Sequence, residues 1–369
     1  MRPEDLAREI GIDPKRLRGW LRARWPRPPE DHGMPWHLSE GQAAEARSAF
    51  AHSRPRPSRI QTSTPLADAP VAAPPRAFRP APTNRLSWSE VQEYADGILA
   101  AGLRHLLAQP RLPWRPLRMS QAGVYVFSDG ETTGYVGEST SVSWRVGQHL
   151  KSNSRLMESL RSAGMADPVT HAAMALEVQA IPVSIGRLEL EEIGIACLHP
   201  TFNLMRRASR SAYSYDDADV ALWLRVEEDF APLLREGAQM AAEVQGVTWS
   251  EMRPPPGAGL YFLRDKDGAM LYVGESDALA ERLGTHRGPS SYFSALRRHV
   301  GTELLGLAFA PDRVRGFSPS DESSISDFLS SCTVAVVPLA FGRWELERHL
   351  VQKHRPLLNR EHTVGSPTD

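Results

Sequence analysis

The feature that most constrains this 369-residue chain is an internal repeat. Six polar side chains recur in one order: Tyr125, Tyr135, Arg145, His149, Glu191 and Asn203, then Tyr261, Tyr272, Arg282, His286, Glu347 and Asn359. In both copies the second Tyr lies ten residues before the Arg, the Arg four before the His, and the Glu twelve before the Asn. The first Tyr closes a Gly-x-Tyr (Gly123-Val124-Tyr125, Gly259-Leu260-Tyr261). The second opens a Tyr-Val-Gly (Tyr135-Val136-Gly137, Tyr272-Val273-Gly274). Repetition of this kind sets the architecture before any propensity argument is made. Because the repeated positions are polar, it also implies a duplicated site.

The copies share a secondary-structure plan. Val124–Phe127 and Leu260–Leu263 read as short strands leading into turns at Asp129-Gly130 and Asp267-Gly268, which are hairpin signals. Return strands carry Tyr-Val-Gly-Glu-Ser, and a helix after each holds the Arg and His on one face, since they are four residues apart. A third strand follows at Ala175–Val183 and Thr333–Leu339, then a helix from Gly186-Arg187 or Gly342-Arg343, stopped before Pro200 or Pro356. His to Glu spans forty-two residues in the first copy and sixty-one in the second. The second copy therefore carries an insertion between His286 and Thr333, where loops and helices tolerate one.

Ahead of the repeat, residues 1–50 read as a small all-helical unit. A short helix at Asp5–Ile10 and a turn at Gly11-Ile12-Asp13 precede a basic helix begun by Pro14, and a third helix runs Ser39–Phe50 with Ser39 as N-cap. This order resembles a helix-turn-helix, which implies a second helix in the DNA major groove and makes Lys15, Arg16, Arg18 and Arg22 the candidate DNA contacts. A three-helix bundle with a solvated basic face, or one that binds protein, is the alternative. Residues 1–85 hold fifteen Lys/Arg against nine Asp/Glu, while the rest hold twenty-eight against thirty-five, so a basic arm precedes an acidic body. Residues 51–85, rich in Pro, Ala and Arg, read as a disordered tether. Residues 87–108 read as one helix with Ser87 as N-cap, and apolar residues such as Val220, Leu222 and Leu233 make 206–256 a helical connector that buttresses the copies.

No apolar run approaches the ~20 residues of a membrane span, the first residues lack a secretory apolar core, and two cysteines argue against a disulfide scaffold or cysteine-bound zinc. The expectation is a cytoplasmic protein.

The two tyrosines, Arg, His, the Glu on the last helix and the Pro-x-x-Asn ending together resemble the GIY-YIG nuclease superfamily over residues 120–205 and 257–362. The resemblance implies an α+β fold: two GIY-YIG units, each a three-stranded antiparallel sheet flanked by helices, behind the helix-turn-helix-like head. The expected organisation is 1–50, tether 51–85, first unit with its preceding helix 86–205, connector 206–256, second unit 257–362 and tail 363–369. It further implies hydrolysis of phosphodiesters with one divalent metal per site, Mg²⁺ or Mn²⁺, held by Glu191 and Glu347. Tyr125 and Tyr261 would activate water with His149 and His286 assisting, while Tyr135 and Tyr272 position phosphate or nucleophile. Arg145 and Arg282 would contact the scissile phosphate, and Asn203 and Asn359 hold each site together. General chemistry agrees: a guanidinium and a divalent cation stabilise the charge of a phosphodiester transition state, and Mg²⁺ needs few protein ligands.

Taken singly, each residue has a plainer reading. The strand tyrosines could pack in a core, Arg145–His149 could be a solvated face, and Glu191 and Glu347 could pair with Arg187 and Arg343. Recurrence of the whole set at fixed offsets argues against these readings. Glu189 and Glu345 lie about 200° round the helix from the proposed ligands and cannot share the metal. The expected activity is a metal-dependent endonuclease that cuts both strands of duplex DNA with two sites in one chain, as in restriction or phage defence, so that a monomer would act as an internal pseudo-dimer. The alternatives are a structure-selective repair or recombination nuclease that nicks, a non-cleaving DNA-binding regulator, and RNA as the substrate.

Overall fold

The computed structural model describes residues 2–10, 17, 21, 24–25, 37–50, 85–113, 117–130, 132–149, 151, 154–162, 176–203, 214–310 and 316–359. Two units separate, Met1–Arg76 and Ala77–Asp369. In the first, α1 (Pro3–Ile10) turns Leu6 and Ala7 towards Ala43 and Ala46 of α2 (Glu40–Phe50), and Leu17, Leu21 and Leu38 complete this small core. Ser39 and Gln42 close a reciprocal capping box: the Ser39 Oγ accepts from the Gln42 N–H at 3.2 Å, and the Gln42 Oε1 accepts from the Ser39 N–H at 3.0 Å. Lys15, Arg16, Arg18 and Arg22 lie outside the described residues, as do 51–84 of the expected tether and the 363–369 tail. No described helix is long and apolar enough to cross a membrane.

The second unit repeats one order of elements twice. The first run is α3 (Trp88–Glu93), α4 (Ala95–Leu107), β1 (Leu112–Pro113), β2 (Gly123–Asp129), β3 (Thr132–Ser139), α5 (Val142–His149), α6 (Arg155–Ser162), β4 (Leu176–Pro182) and α7 (Arg187–Leu198). The second is α8 (Val220–Glu228), α9 (Phe230–Glu243), β5 (Val247–Thr248), β6 (Gly259–Arg264), β7 (Met270–Ser276), α10 (Leu279–Arg287), α11 (Ala295–His299), a π turn (Val300–Leu304), α12 (Pro319–Ser330), β8 (Thr333–Pro338) and α13 (Arg343–His354). We call these runs the first and second lobes. Within residues 206–256, α8, α9 and β5 are the counterparts of α3, α4 and β1. Both lobes end alike: His199 and Arg355, each before a proline, take the left-handed conformation at φ 46° and stop the last helix.

Both sheets are antiparallel, in the orders β1-β4-β2-β3 and β5-β8-β6-β7. The three expected strands are present, but each sheet has four. A two-residue strand adds to the outer edge of β4 (Leu112 opposite Val178) and of β8 (Val247 opposite Val334). An edge strand leaves backbone donors and acceptors unpaired, and these short segments cover them; two residues are too few to show an alternating pattern. The single helix expected over 87–108 is two helices, parted at Tyr94 (φ −101°, ψ 15°), and Asp229 parts α8 from α9 in the same way. Ser87 does begin the first of them, with a complete capping box to Glu90.

Neither sheet has a solvated face. Val124, Val126 and Val136 point into one core together with Leu260, Phe262 and Val273 of the other lobe. The alternate residues, Tyr125 and Phe127 in one lobe and Tyr261 and Leu263 in the other, point the opposite way into separate cores. Reciprocal packing joins the helix pairs. A Cβ added at Gly102 would lie 2.6 Å from the Trp223 ring, and one at Gly237 would lie 2.6 Å from the Trp88 ring. Trp88 and Trp223 are both buried, so neither ring can move aside.

This packing reverses the usual sign of a helical Gly→Ala change. An exposed helical glycine gains up to ~1 kcal/mol on becoming alanine. Gly97, with nothing within 4 Å of an added Cβ, should behave so. Gly237→Ala should instead cost about 1–3 kcal/mol through overpacking against Trp88. Thermal melts should show Tm rising for Gly97→Ala and falling for Gly237→Ala.

Candidate active site

In each lobe the Tyr-Val-Gly glycine is the floor of a small aromatic cluster. Gly137 pairs across the hairpin with Tyr125, and Gly274 with Tyr261. A Cβ at either glycine would come within 2.5 Å of the opposing tyrosine Oη and also meet the ring of the tyrosine two residues before it. Only glycine lets the two tyrosines of each lobe close together, with ring centroids 6.2 Å apart for Tyr125–Tyr135 and 5.9 Å for Tyr261–Tyr272. The Gly-x-Tyr glycines have a different cause. A side chain at Gly123 would strike the Ile181 carbonyl of the next strand, and one at Gly259 that of Val337.

The histidine expected beside each first tyrosine is bonded to it. Tyr125 Oη lies 2.6 Å from His149 Nε2, and Tyr261 Oη lies 2.7 Å from His286 Nε2. Each pair joins a strand residue to the last turn of the helix that follows the hairpin, α5 or α10. Burial, then the nearby Arg145, pushes His149 down to about 4; burial, then Arg282 and Arg297, pushes His286 down to about 3. Both imidazoles are therefore neutral at working pH. In the second lobe the His286 Nδ1 lies 2.7 Å from Ser294 Oγ. The hydroxyl of Tyr261 can then donate to Nε2 while Nδ1–H donates to Ser294. Burial foremost, then the partner tyrosine, raises both Tyr125 and Tyr261 well above the usual phenol range, with Arg145 and Arg282 acting in the opposite sense. At rest these phenols hold their protons.

Arg145 and Arg282, four residues before the histidines, thus border the tyrosine–histidine pairs. The two asparagines bracket the residue inside each Tyr-Val-Gly. Asn203 accepts from the Val136 N–H at 2.9 Å and donates to its carbonyl at 2.7 Å. Asn359 treats Val273 in the same way, at 2.8 and 2.7 Å. The chain end of each lobe is thereby fastened to the strand carrying the second tyrosine. Glu191 is buried on α7, which packs on β3, and Glu347 stands on α13 against β7. Burial and the neighbouring Glu275 push Glu347 up to about 8, against the opposing pull of the Glu275 backbone and Arg282; Glu347 in turn helps raise Tyr272. Glu347, Tyr272 and Arg282 of the second lobe therefore lie close enough to act on one another's charge.

The ion pairs first weighed for the two glutamates involve other residues. Arg187 lies 2.9 Å from Glu138, and Arg343 lies 3.1 Å from Glu275. Arg343 also engages Glu189 and Glu192 of the first lobe, and the Arg187 guanidinium stacks 4.3 Å over the Trp344 ring of the second. Glu138 and Glu275 are thus anchors for the arginines at the start of the last helices. Ser294 was not foreseen. It caps α11 through the Arg297 N–H, as Ser154 caps α6 through the Met157 N–H in the first lobe, where the Ser154 hydroxyl bonds the His149 carbonyl; Arg297 itself pairs with Glu322 at 2.8 Å. A serine eight residues after a histidine carries no recognisable spacing, so only the fold could disclose it.

Among the described residues no three His, Cys, Asp or Glu side chains converge as a metal cage. In the second lobe the donor set is one glutamate, Glu347, beside Tyr272 and Arg282. Such a set fits a hard divalent cation that keeps most of its water or shares substrate oxygens. The upward shift of Glu347 marks a buried carboxyl short of positive charge, which a cation would supply.

Residues 259–368 match the sequence profile of the GIY-YIG catalytic domain. Its first residue is the Gly-x-Tyr glycine of the second lobe, and a domain of this kind implies a nuclease, generally one dependent on divalent metal. No curated protein and no solved structure matches the chain significantly.

The buried histidines make a direct prediction. An unfolded histidine titrates near ~6.5, so between that value and about 4 or 3 the unfolded chain binds more protons than the fold. The stability contributed by the neutral rings is complete above pH ~6.5 and is lost as pH falls towards those values. Ring NMR at pH 5 should find His149 and His286 neutral; a charged His286 at that pH would refute the arrangement.

Proposed function

We propose that this protein is a divalent-metal-dependent endonuclease that cuts both strands of duplex DNA, with one catalytic centre in each lobe. The observation that carries the reading is the recurrence in residues 123–203 of the same tyrosine–histidine bond and asparagine bracket found in the matched second lobe, with a glutamate on the last helix of each lobe, Glu191 buried and Glu347 half-buried. Core packing alone does not require Tyr, His, Arg, Glu and Asn together twice. The first lobe is accordingly read as a second GIY-YIG unit. The basic residues Lys15, Arg16, Arg18 and Arg22 are assigned to DNA contact as in a helix-turn-helix head, and a cytoplasmic location follows from this role.

The chemistry is the same in each lobe. Arg282 or Arg145 engages the scissile phosphate, and its fixed positive charge stabilises the trigonal-bipyramidal transition state. A water attacks phosphorus and loses its proton to the oxygen of Tyr261 or Tyr125, whose own proton passes to the neutral Nε2 of His286 or His149. The neutral histidines leave Nε2 open to the tyrosine proton, and the raised tyrosines speak against a standing tyrosinate. As the P–O bond to the leaving oxygen breaks, that oxygen takes a proton from water, and the histidine returns its own to solvent. Tyr272 and Tyr135 position the phosphate, and Glu347 and Glu191 would hold the cation, Mg²⁺ or Mn²⁺, which when bound supplies Lewis-acid stabilisation of phosphoryl oxygens.

Two centres predict a specific pattern on supercoiled plasmid with Mg²⁺. The unsubstituted protein should linearise it, Glu191→Ala and Glu347→Ala should each leave nicked circles, and the double variant should leave it intact. A single variant that linearises at the full rate would exclude the division of strands. Faster cutting of flaps or junctions than of plain duplex would favour a structure-selective nuclease.

A further inference from the structure

The helices that bear Glu191 and Glu347 start without a cap of their own. Their N-cap residues are Gly186 and Gly342, both left-handed (φ 81° and 74°), and neither can offer a side chain to the first-turn amides. A glutamate stands at the third position of each helix, Glu189 and Glu345, as in a capping box. Each of them reaches a helix start in the other lobe, although the Glu345 carboxyl also meets its own backbone N–H. Glu345 Oε2 accepts from the Gly186 N–H at 3.1 Å, and Glu189 Oε1 accepts from the Arg343 N–H at 3.2 Å. The capping glutamates are exchanged between the lobes.

The loops entering these helices are held from the opposite lobe as well. Glu227 accepts from the Ser184 and Ile185 N–H groups at 2.7 and 3.4 Å. Its counterpart Gln92 accepts from Ala340 and Phe341 at 2.9 and 3.2 Å, and donates to the Phe341 carbonyl at 3.0 Å. The left-handed conformation favours glycine at both helix starts, and the space is shared with the other lobe: a Cβ at Gly186 would strike Phe341, and one at Gly342 would press on Ile185 at 3.1 Å. Every hydrogen bond in this set crosses from one lobe to the other. It fixes the first turn of a helix whose second turn carries a proposed metal-holding glutamate.

From this exchanged cap we infer that Glu345 is a positioning residue for the first-lobe centre and Glu189 for the second, so that each centre depends on the other lobe. The inference rests on the two-centre reading above, and its effects are crossed. Neither glutamate touches substrate or metal in this role; each acts through the start of the opposite helix.

The test isolates one centre at a time in the full-length chain. Glu191→Gln leaves only the second centre and Glu347→Gln only the first, and Mg²⁺-dependent plasmid nicking is measured in each background. Glu345→Ala should slow the first centre about tenfold or more and the second less than about twofold; Glu189→Ala should do the reverse. A misplaced catalytic group readily costs a factor of this size. Glu345→Gln and Glu189→Gln keep an acceptor oxygen and should restore the rates, which a requirement for charge or a general loss of stability would not allow. Hydrogen exchange provides a readout independent of activity: Glu345→Ala should expose amides of residues 186–191 before those of 342–347, and Glu189→Ala the opposite. Effects confined to each glutamate's own lobe, or equal in both, would overturn the inference. Failure of the unsubstituted protein to nick DNA would overturn the nuclease reading alone, with the exchange experiment still deciding the cap.

Discussion

The structure of the second unit depends on one core shared by two sheets. Val124 and Val126 on one side and Leu260 and Phe262 on the other have no alternative place to be buried. Neither lobe could fold by itself without exposing that face, because each inner face is covered partly by the other lobe and by the paired helices around Trp88 and Trp223. Burying a large apolar side chain contributes roughly 1.5–3 kcal/mol, so a face of this kind outweighs any single polar contact in the molecule. The polar exchange at Glu189 and Glu345 is possible because this core brings the two helix starts together first.

That arrangement leaves the opposite face of each sheet for chemistry. Strand alternation sends Tyr125 and Tyr261 away from the shared core, and the glycine opposite each lets the second tyrosine close over it. Burial then has two consequences of opposite sign in charge. It keeps histidine neutral and tyrosine protonated, so the hydrogen bond between them is a proton path between neutral groups. The lobes are not equivalent, since Ser294 bonds the His286 ring in the second while Ser154 bonds the His149 carbonyl in the first.

Much of this was legible in the sequence, and more could have been. The offsets marked the tyrosines and histidines that bond and the asparagines that bracket the hairpin strand in each lobe. Trp88 and Trp223, Gln92 and Glu227, and Gly102 and Gly237 also recur, each 135 residues apart, so the repeat extends upstream into what reads as a connector. The signal of that extension is weak because its helices share few identical residues, and the shared ones are packing residues rather than chemistry. Strands β1 and β5 had no signal at all, since two residues cannot show a period.

Local spacing therefore determined, by itself, the hairpins, the helices that follow them and the residues that meet within each lobe. Such contacts span a strand pair or a helix turn, whose geometry repeats wherever the pattern does. Only the tertiary structure decided which lobe caps which helix. Glu189 and Glu345 satisfy the capping pattern equally well at home or across the interface. The choice between those partners was made by the shared core, which sets the two helix starts within hydrogen-bond distance of the opposite glutamate.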